Sequence, residues 1–435
     1  MHSCTAIFGV ATLAGILFGL HELYPLEDHA TWYYDQIHFI GLFTLAFLDG
    51  SRLRKGHGLE LPQGQGLTGK VAVITGSTKG IGFQAARRFH SHGAHVVLSG
   101  RKRMDVDSAA AYVRSYSEAA GRAFGIPLDL ADFKSVRAFA EEVLSEFPVV
   151  HYLLFNAAFT TEIGHSSTDT KYWMSASGHS RIMAANHLGH FLLTMLLAPY
   201  LAQDGSIVMV GSMGAWWADP KNLMVDFGVP PPNISQVPFE KRRVYMSKGV
   251  YDVSKYAGVC FANLLRTKVI SRNIKVNVMT PGLVSTEINQ NNADYKEIAG
   301  FSVSPEEAGR ALFETSFVTR PTEFVYPYWF PPDVMRSEAP VKYAPRFKGS
   351  PTCKHYKHEE PKDWLWRPEK FQRYRYRLHA SVAPECNSTT QQALWYWSRN
   401  AVDLPERLDD GDIFEDLPDL WGSRSPKFGK GRGGR

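Results

Sequence analysis

The sequence predicts an α/β fold with a doubly wound parallel sheet, and three observations support this. Residues 70–330 alternate short β-branched runs with longer helical stretches, the first run leads directly into a glycine-rich turn, and two later runs are followed by Asn156 and by Gly211-Ser212. Regular alternation of strands and helices is typical of a parallel sheet covered on both faces. Of the 435 residues, 44% are hydrophobic and 21% are charged. This composition excludes a wholly disordered, collagen-like or coiled-coil chain.

Six buried strands are predicted by short apolar, β-branched runs, with amphipathic helices between them. The predicted strands are Val71–Thr75, His95–Ser99, Ala123–Leu128, His151–Phe155, Ser206–Val210 and Ile274–Met279. The predicted helices are Gly80–His92, Phe133–Phe147, Ser180–Ala202 and Tyr251–Arg272. In such sheets ligands bind beyond the carboxyl ends of the strands.

The two ends of the chain differ from this middle region. Residues 1–56 contain the apolar stretches Cys4–Leu20 and Ile37–Leu48, with no Lys or Arg until a basic cluster at 52–55. We expect an uncleaved membrane anchor, as one span or a hairpin, with the basic cluster on the cytoplasmic side. The alternative is a helix packed on the main domain. After the predicted domain at 66–330, we expect an irregular Pro- and aromatic-rich extension at 331–422 and a disordered basic tail at 423–435.

Charge and cysteine content exclude several classes of function. The net charge of +5 does not by itself indicate nucleic acid, and no nucleic-acid partner is expected. The four cysteines are too sparse for a disulfide scaffold, and without a C-x-x-C pair they predict no cysteine zinc site. A reducing compartment is therefore expected for the bulk of the chain. No metal is expected.

The glycine-rich turn has the strand before it and the helix after it that phosphate binding requires. It reads TGSTKGIG over residues 75–82. Gly76 allows a sharp turn, Gly80 allows backbone to approach a pyrophosphate, and Gly82 allows close packing of helix on strand. The helix N-terminus then faces the anion. The residues assigned to this cofactor turn are Gly76, Ser77, Lys79, Gly80, Ile81 and Gly82.

Cofactor choice is predicted by the residues that follow the second strand. An NAD site usually has Asp or Glu there, whereas this chain has Ser-Gly-Arg-Lys-Arg at 99–103. Arg101 can receive a 2′-phosphate, and Lys79 adds a second cation. The expected cofactor is NADP(H).

These motifs resemble the short-chain dehydrogenase/reductase family. The turn matches T-G-x-x-x-G-x-G, and Tyr251 to Lys255 (YDVSK) matches Y-x-x-x-K. The resemblance implies a Rossmann-type fold. It also implies cofactor contacts at Asn156, at Asp129 and Leu130 after the third strand, and at Pro281, Gly282 and Thr286 after the sixth.

The resemblance implies a catalytic tetrad of Asn186, Ser212, Tyr251 and Lys255, and the chemistry agrees. Tyr251 and Lys255 are four residues apart and share a helix face. A nearby ammonium is expected to lower the pKa of the tyrosine, which then exchanges a proton with a carbonyl or alcohol. Ser212 hydrogen-bonds the substrate oxygen, and Asn186 supports a proton relay.

One departure from the family pattern indicates a branch. The usual N-N-A-G is replaced by Asn-Ala-Ala-Phe at 156–159, and residues 186–194 read NHLGHFLLT. This combination is similar to the branch of retinol dehydrogenases, WW-domain oxidoreductase and protochlorophyllide reductase. Phe159 is expected to narrow the nicotinamide pocket. Residues 392–398 resemble the last helix of retinol-dehydrogenase-like proteins, which would make 333–385 an insertion.

Three functions remain open on this evidence. The first is a membrane-anchored, NADP(H)-dependent oxidoreductase acting on a retinoid, a steroid or sterol, or a long-chain aldehyde, at the endoplasmic reticulum by analogy. The second is a catalytically silent NADPH-sensing scaffold. The third is photochemical reduction of a tetrapyrrole, disfavoured because Tyr256 and Ala257, and not a cysteine, follow Lys255. Family relatives also suggest a homodimer through the helices at 180–202 and 251–272.

Overall fold

The strand Val71–Ile74 is buried at every residue, and the strands His95–Gly100 and Val150–Phe155 are buried at most of theirs. A computed structural model describes residues 66–117, 121–160, 174–212, 214–218, 248–282, 284, 286, 304–317, 324–327, 378–381 and 386–404. All of them belong to one of the two units into which the chain divides, Gly58–Tyr328 with Leu365–Arg435.

Eight described strands form one sheet in the order β3-β2-β1-β4-β5-β6-β7-β8. Pairing is parallel from β3 through β7, and β8 is antiparallel to β7. Strand order reverses between β1 and β4, which is where ligands bind in doubly wound folds. The strands are β1 Val71–Ile74, β2 His95–Gly100, β3 Ala123–Pro127, β4 Val150–Phe155, β5 Leu201–Val210, β6 Lys275–Met279, β7 Phe324–Pro327 and β8 Leu378–Ser381.

Helices cover the sheet with apolar faces. The described helices are α1 Gly80–Ser91, α2 Arg103–Tyr116, α3 Phe133–Glu146, α4 Arg181–Leu197, α5 Gly214–Trp217, α6 Lys248–Lys268, α7 Pro305–Thr315 and α8 Ser388–Ala401. Within α4, Ala184–Leu188 forms a π-helical turn. Helix α7 packs closely on α1, where Phe89 and Phe313 meet edge to face at 4.8 Å between ring centroids. The predicted fold class is confirmed.

Two predicted helices end earlier than the sequence indicates, and one helix was not predicted. The helix predicted to reach Ala202 ends in a 3₁₀ turn at Ala198–Tyr200, where Pro199 lacks the amide that an α-helix needs, and β5 begins at Leu201. The helix predicted to reach Arg272 ends as α6 at Lys268. A 3₁₀ turn at Ile270–Arg272 follows, closed by Asn273 in the left-handed region at φ 52°. Helix α2 was not predicted at all.

Elements after residue 330 complete this domain. Strand β8 extends the sheet through β7, and α8 packs against α6. The structure also corrects the expectation drawn from the sparse cysteines: Cys260 on α6 and Cys386 before α8 form a disulfide. Four scattered cysteines cannot make a scaffold, but two of them suffice to join these helices.

The predicted membrane anchor at 1–56 lies outside the described residues. So do most of the extension, the basic tail, and residues 219–247 of the long interval after Ser212. Among the residues that are described, Arg181–Tyr200 is long and apolar enough to cross a membrane, but 89% of its apolar window is buried inside the domain. That burial identifies it as a core helix.

Candidate active site

The glycine-rich turn joins β1 to α1 at the carboxyl edge of the sheet. Gly76 has φ +62°, and a Cβ there would lie 2.8 Å from the Cα of Ala157. Gly82 lies in the first turn of α1, where a Cβ would lie 2.7 Å from the carbonyl oxygen of Gly76. These positions accept no larger residue without a shift in backbone. The turn therefore has the tight path that the sequence predicts.

The N-terminus of α1 carries no acceptor of its own. Its N-cap residue is Lys79, and a lysine side chain has no atom that can accept from backbone amides. The first turn, Gly80–Phe83, contains no acidic residue. By contrast, α3, α7 and α8 are capped by the side chains of Asp132, Ser304 and Asn387. The amide groups at the start of α1 thus suit an external anion.

Ser77, a predicted cofactor residue, directs its side chain into the protein. It is fully buried. Its hydroxyl donates to the Ile74 carbonyl at 2.7 Å and accepts from the Ser99 amide at 2.9 Å. The hydroxyl therefore ties β1 to β2, and only the backbone of Ser77 belongs to the turn.

Other predicted cofactor residues lie at the ends of neighbouring strands. Arg101 follows β2 and is exposed, as is Lys79. Asp129 follows β3, and its carboxylate accepts from the Ala131 amide at 3.0 Å. Leu130 is buried. The turn at Asp129 is therefore ordered by its own side chain.

The residues after β4 and β6 meet the glycine turn. The Asn156 amide group donates to the carbonyls of Thr75 at 3.0 Å and Gly76 at 2.9 Å, which fixes the shape of the turn. Thr286 lies where a Cβ on Gly80 would touch its methyl group at 3.4 Å. The predicted segment at 281–286 thus reaches the turn, with buried Pro281 and Gly282 at φ +72° leading to it.

Three members of the predicted tetrad come together between β5 and α6. The Tyr251 hydroxyl is hydrogen-bonded to the Ser212 hydroxyl. Lys255 Nζ lies 5.7 Å from the centroid of the Tyr251 ring and donates to the Val210 carbonyl at 2.8 Å. Tyr251 is partly exposed and Lys255 is buried. The proton-bearing oxygen of Tyr251 therefore lies beside the end of β5.

The electrostatics of this pair differ from the expectation. Although part of Tyr251 is exposed, its hydroxyl is desolvated, which raises the pKa of Tyr251 to about 12; the Ser212 hydrogen bond opposes this shift and the Asp252 carboxylate adds to it. Burial also lowers the pKa of Lys255 to about 8. The expected lowering of the tyrosine pKa is wrong, because desolvation is the largest influence on this pKa and raises it. Tyr251 consequently keeps its proton at neutral pH.

Asn186 lies in the π-helical turn of α4 and holds the backbone after β4. Its Oδ1 accepts from the Phe159 amide at 2.7 Å, and its Nδ2 donates to the Phe159 carbonyl at 2.9 Å. Nδ2 also donates to the Ser254 hydroxyl on α6 at 3.0 Å. Such π turns are frequent at functional sites because they re-aim side chains. Asn186 thus links the segment after β4 to the helix of Tyr251 and Lys255.

Sequence reasoning gave no role to His190 or Ser254, although both lie within the quoted motifs. His190 falls at the second histidine of NHLGH, and Ser254 is the residue before Lys255. Their spacing indicates that they lie near the site, because residues three or four apart share a helix face. His190 is four residues after Asn186 on one helix, and Ser254 is three after Tyr251 on another. Both make hydrogen bonds that reach the predicted tetrad.

Comparison with known proteins agrees with this geometry. Residues 70–221 match the family model described as short chain dehydrogenase. A WW domain-containing oxidoreductase from Danio rerio is 32% identical over 231 residues, covering 52% of this chain and 51% of that protein. Retinol dehydrogenase 12 from Homo sapiens is 32% identical over 227 residues, covering 51% of this chain and 64% of that protein.

Among solved structures, a blue fluorescent protein from a metagenomic library in complex with NADPH matches with a TM-score of 0.46 and 19% identity. The match covers 59% of this chain and 93% of that one.

The family-model match contains the glycine turn, Asn186 and Ser212, and it ends before Tyr251 and Lys255. The structure places those two residues beside Ser212, at the end of the strand that the match includes. The chain spans about half the length of the WW domain-containing relative and under two thirds of the retinol dehydrogenase. Residues 70–221 match the short-chain dehydrogenase/reductase family, and about half of the chain is similar to retinol dehydrogenases and WW domain-containing oxidoreductases.

Proposed function

We propose that this protein is an NADP(H)-dependent oxidoreductase that transfers a hydride between nicotinamide and a carbonyl or alcohol group of an apolar substrate. The observation that carries the proposal is the Tyr251–Ser212–Lys255 group, which lies at the same carboxyl edge of the sheet as the glycine-rich turn. A scaffold protein that only senses a nucleotide has no need for this group.

The dinucleotide fits the turn because α1 leaves its first amide groups to an external anion. Gly76, Gly80 and Gly82 leave the approach open, and Asn156 fixes the shape of the turn. When bound, the nicotinamide supplies the hydride. Exposed Arg101 and Lys79 favour a 2′-phosphate, and therefore NADP(H) over NAD(H).

The protein supplies the proton. Because Tyr251 is protonated at neutral pH, it donates to a carbonyl oxygen more readily than it removes a proton from an alcohol. Ser212, hydrogen-bonded to Tyr251, offers a second group to the same oxygen. This protonation state suits the proton donation that reduction of a carbonyl requires.

The first test is NADPH oxidation by the full chain in detergent, with retinal, a ketosteroid panel and long-chain aldehydes. Tyr251→Phe should lower turnover at least 100-fold, within the range typical of proton-transfer groups, and should leave NADPH binding intact. Tyr112→Phe, at an exposed tyrosine on α2, is the matched control and should behave as wild type. Equal turnover in Tyr251→Phe and wild type would contradict the assignment.

NADPH binding without reduction of any compound would favour the scaffold hypothesis or a substrate outside the panel. A bound pigment that absorbs visible light would instead support the tetrapyrrole hypothesis.

We further propose that residues 1–56 anchor the chain in a membrane, which suits an apolar substrate dissolved in the bilayer. The basic cluster at 52–55 favours a cytoplasmic catalytic domain, by analogy at the endoplasmic reticulum. The Cys260–Cys386 disulfide opposes this orientation, because disulfides persist mainly in oxidising compartments. Protease protection in sealed microsomes distinguishes the two: digestion of the domain supports the cytoplasmic side, and protection supports the lumen.

A further inference from the structure

His190 lies between the glycine turn and the π-helical turn of α4, and the proposed chemistry does not use it. Its ring is buried and packs against Phe155 at 4.8 Å between centroids. Nδ1 lies 3.1 Å from the Asn186 carbonyl oxygen, and Nε2 lies 3.0 Å from the Thr75 hydroxyl oxygen. The two nitrogens therefore reach two different parts of the candidate site.

The chemistry of the partners fixes the direction of each hydrogen bond. A carbonyl oxygen can only accept, so Nδ1 carries the proton and donates to Asn186. A neutral imidazole then has a bare Nε2, which accepts from the Thr75 hydroxyl. Burial, which lowers the pKa of His190 to about 3, keeps the ring neutral. The Thr75 oxygen accepts in turn from the amides of Asn156 and Ala157, each at 3.0 Å.

These bonds continue beyond Asn186 to the helix of the catalytic tyrosine. Asn186 Nδ2 donates to the Ser254 hydroxyl at 3.0 Å, and Ser254 donates to the Tyr251 carbonyl at 2.7 Å. Two sets of hydrogen bonds, joined through the backbone and side chain of Asn186, thus connect the backbone after β4 to α6.

We propose that His190 is a positioning residue that couples the dinucleotide-binding turn to the catalytic helix, by holding the Thr75 hydroxyl with Nε2 and the Asn186 backbone with Nδ1. This inference rests on the proposed function. It explains why the position carries a side chain with a donor and an acceptor on opposite edges of a rigid ring. An asparagine in this position can replace the hydrogen bond to the Asn186 carbonyl, and a glutamine can replace the one to the Thr75 hydroxyl. Neither side chain can make both hydrogen bonds at once.

The same helix provides a matched control in His187. This histidine is also buried and neutral, with its pKa lowered to about 3 by burial. Its Nε2 bonds to the Ser398 hydroxyl at 2.8 Å, and its ring stacks on Trp397. Both partners lie on α8, so His187 has the same depth and chemistry as His190 but faces away from the candidate site.

The experiment measures NADPH affinity by nicotinamide fluorescence, together with thermal unfolding, for the full chain in detergent. The variants are His190→Leu, His190→Gln, Thr75→Val, the double variant Thr75→Val/His190→Leu, and His187→Leu. We expect His190→Leu to weaken NADPH binding at least tenfold, and His190→Gln to recover part of that loss. His187→Leu should lower Tm comparably and change NADPH affinity less than twofold.

The double variant gives the sharper result. If Thr75 and His190 act through one hydrogen bond, the combined loss of NADPH affinity will be well below the product of the single losses. The inference is overturned if the losses multiply, or if both histidine variants weaken NADPH binding in proportion to their loss of Tm. If wild type binds neither NADPH nor NADH, the proposed function itself fails, which is a different result from either of these.

Discussion

Two regions of this domain contain similar kinds of side chain but differ in purpose, one serving the proposed chemistry and the other stability. At the carboxyl edge of the sheet, a lysine is buried, a helix begins without an acceptor, and a tyrosine pKa is raised to about 12. Where α8 packs on α4 and α6, the helix is capped by Asn387, joined by a disulfide, and packed through Trp395 against Phe191 and Phe261.

The difference separates chemistry from stability. The catalytic edge keeps groups that folding alone disfavours, whereas α8 contributes contacts with no direct part in the reaction. Substitutions at the edge should change activity far more than stability, and substitutions around α8 should do the reverse.

Lys255→Met should show the largest effect. Turnover should fall about 10²–10⁴-fold, because the group that orients Tyr251 is lost. Stability at pH 7 should rise, since the buried ammonium no longer costs desolvation. Assays of NADPH oxidation measure turnover, and urea unfolding measures stability.

The pKa of Lys255 also predicts how folding stability changes with pH. The pKa of Lys255 is about 8 when folded, below its ordinary value of 10.5. Between these values the unfolded chain holds a proton that the folded chain has released, so the contribution of Lys255 to stability rises with pH from 8 to 10.5. Lys255→Met should remove this rise. A variant that keeps the rise would assign it to another group.

Cys386→Ser should show the largest effect on stability with the least on chemistry. The disulfide closes a loop with a sequence separation of 126 residues. Its removal should lower the free energy of unfolding by about 2–4 kcal/mol. Turnover below the new Tm should change less than twofold. Wild type in dithiothreitol should match the variant, and the variant itself should not respond to dithiothreitol.

A large loss of turnover in Cys386→Ser would contradict the contrast between the two regions, because it would show that α8 contributes to catalysis.

The two regions also differ in how much of their structure can be predicted from the sequence. The glycine turn, the first six strands and the shared helix of Tyr251 and Lys255 were predicted, because each depends on residues that are close in sequence and have a fixed period or spacing. The β7–β8 pair and the disulfide were not predicted, since each joins segments separated by dozens of residues. Helix α2 was missed although its buried Val106, Ala109 and Val113 have helical spacing.

The electrostatics of Tyr251 were predicted with the wrong sign for a physical reason. Spacing shows that Lys255 shares a helix face with Tyr251, but it does not show how far water is excluded from either side chain. Desolvation depends on the packing of the whole edge, and the Asp252 carboxylate raises the tyrosine pKa further by charge repulsion. His190 was quoted within its motif, yet its partner Thr75 lies 115 residues away.

Acid should destabilise both regions alike, through one histidine in each. His187 and His190 have pKa values of about 3, lowered by burial from 6.5. Between pH 6.5 and 3 the unfolded chain binds protons that the folded chain does not, so their contribution to stability is complete above pH 6.5 and is lost as pH falls toward 3. Each group should contribute a slope of about 1.4 kcal/mol per pH unit.

Urea unfolding at pH 7, 5.5 and 4.5 measures this slope. His187→Gln and His190→Gln should each reduce it by a similar amount. An unchanged slope in both variants would assign acid sensitivity to other groups, for example His151, whose pKa is lowered to about 4.

The smallest expected effect lies at the outer end of the catalytic edge, where an exposed cation acts through solvent. Arg101→Ala should raise the KM for NADPH about three- to tenfold and leave the KM for NADH unchanged, because only NADPH carries the 2′-phosphate. The neighbouring exposed residue gives the control: Lys102→Ala removes the same charge one position away and should have a smaller effect. Equal effects in the two variants would mean that the region attracts the cofactor by its general positive charge. An effect confined to Arg101 would mean that one guanidinium recognises the phosphate.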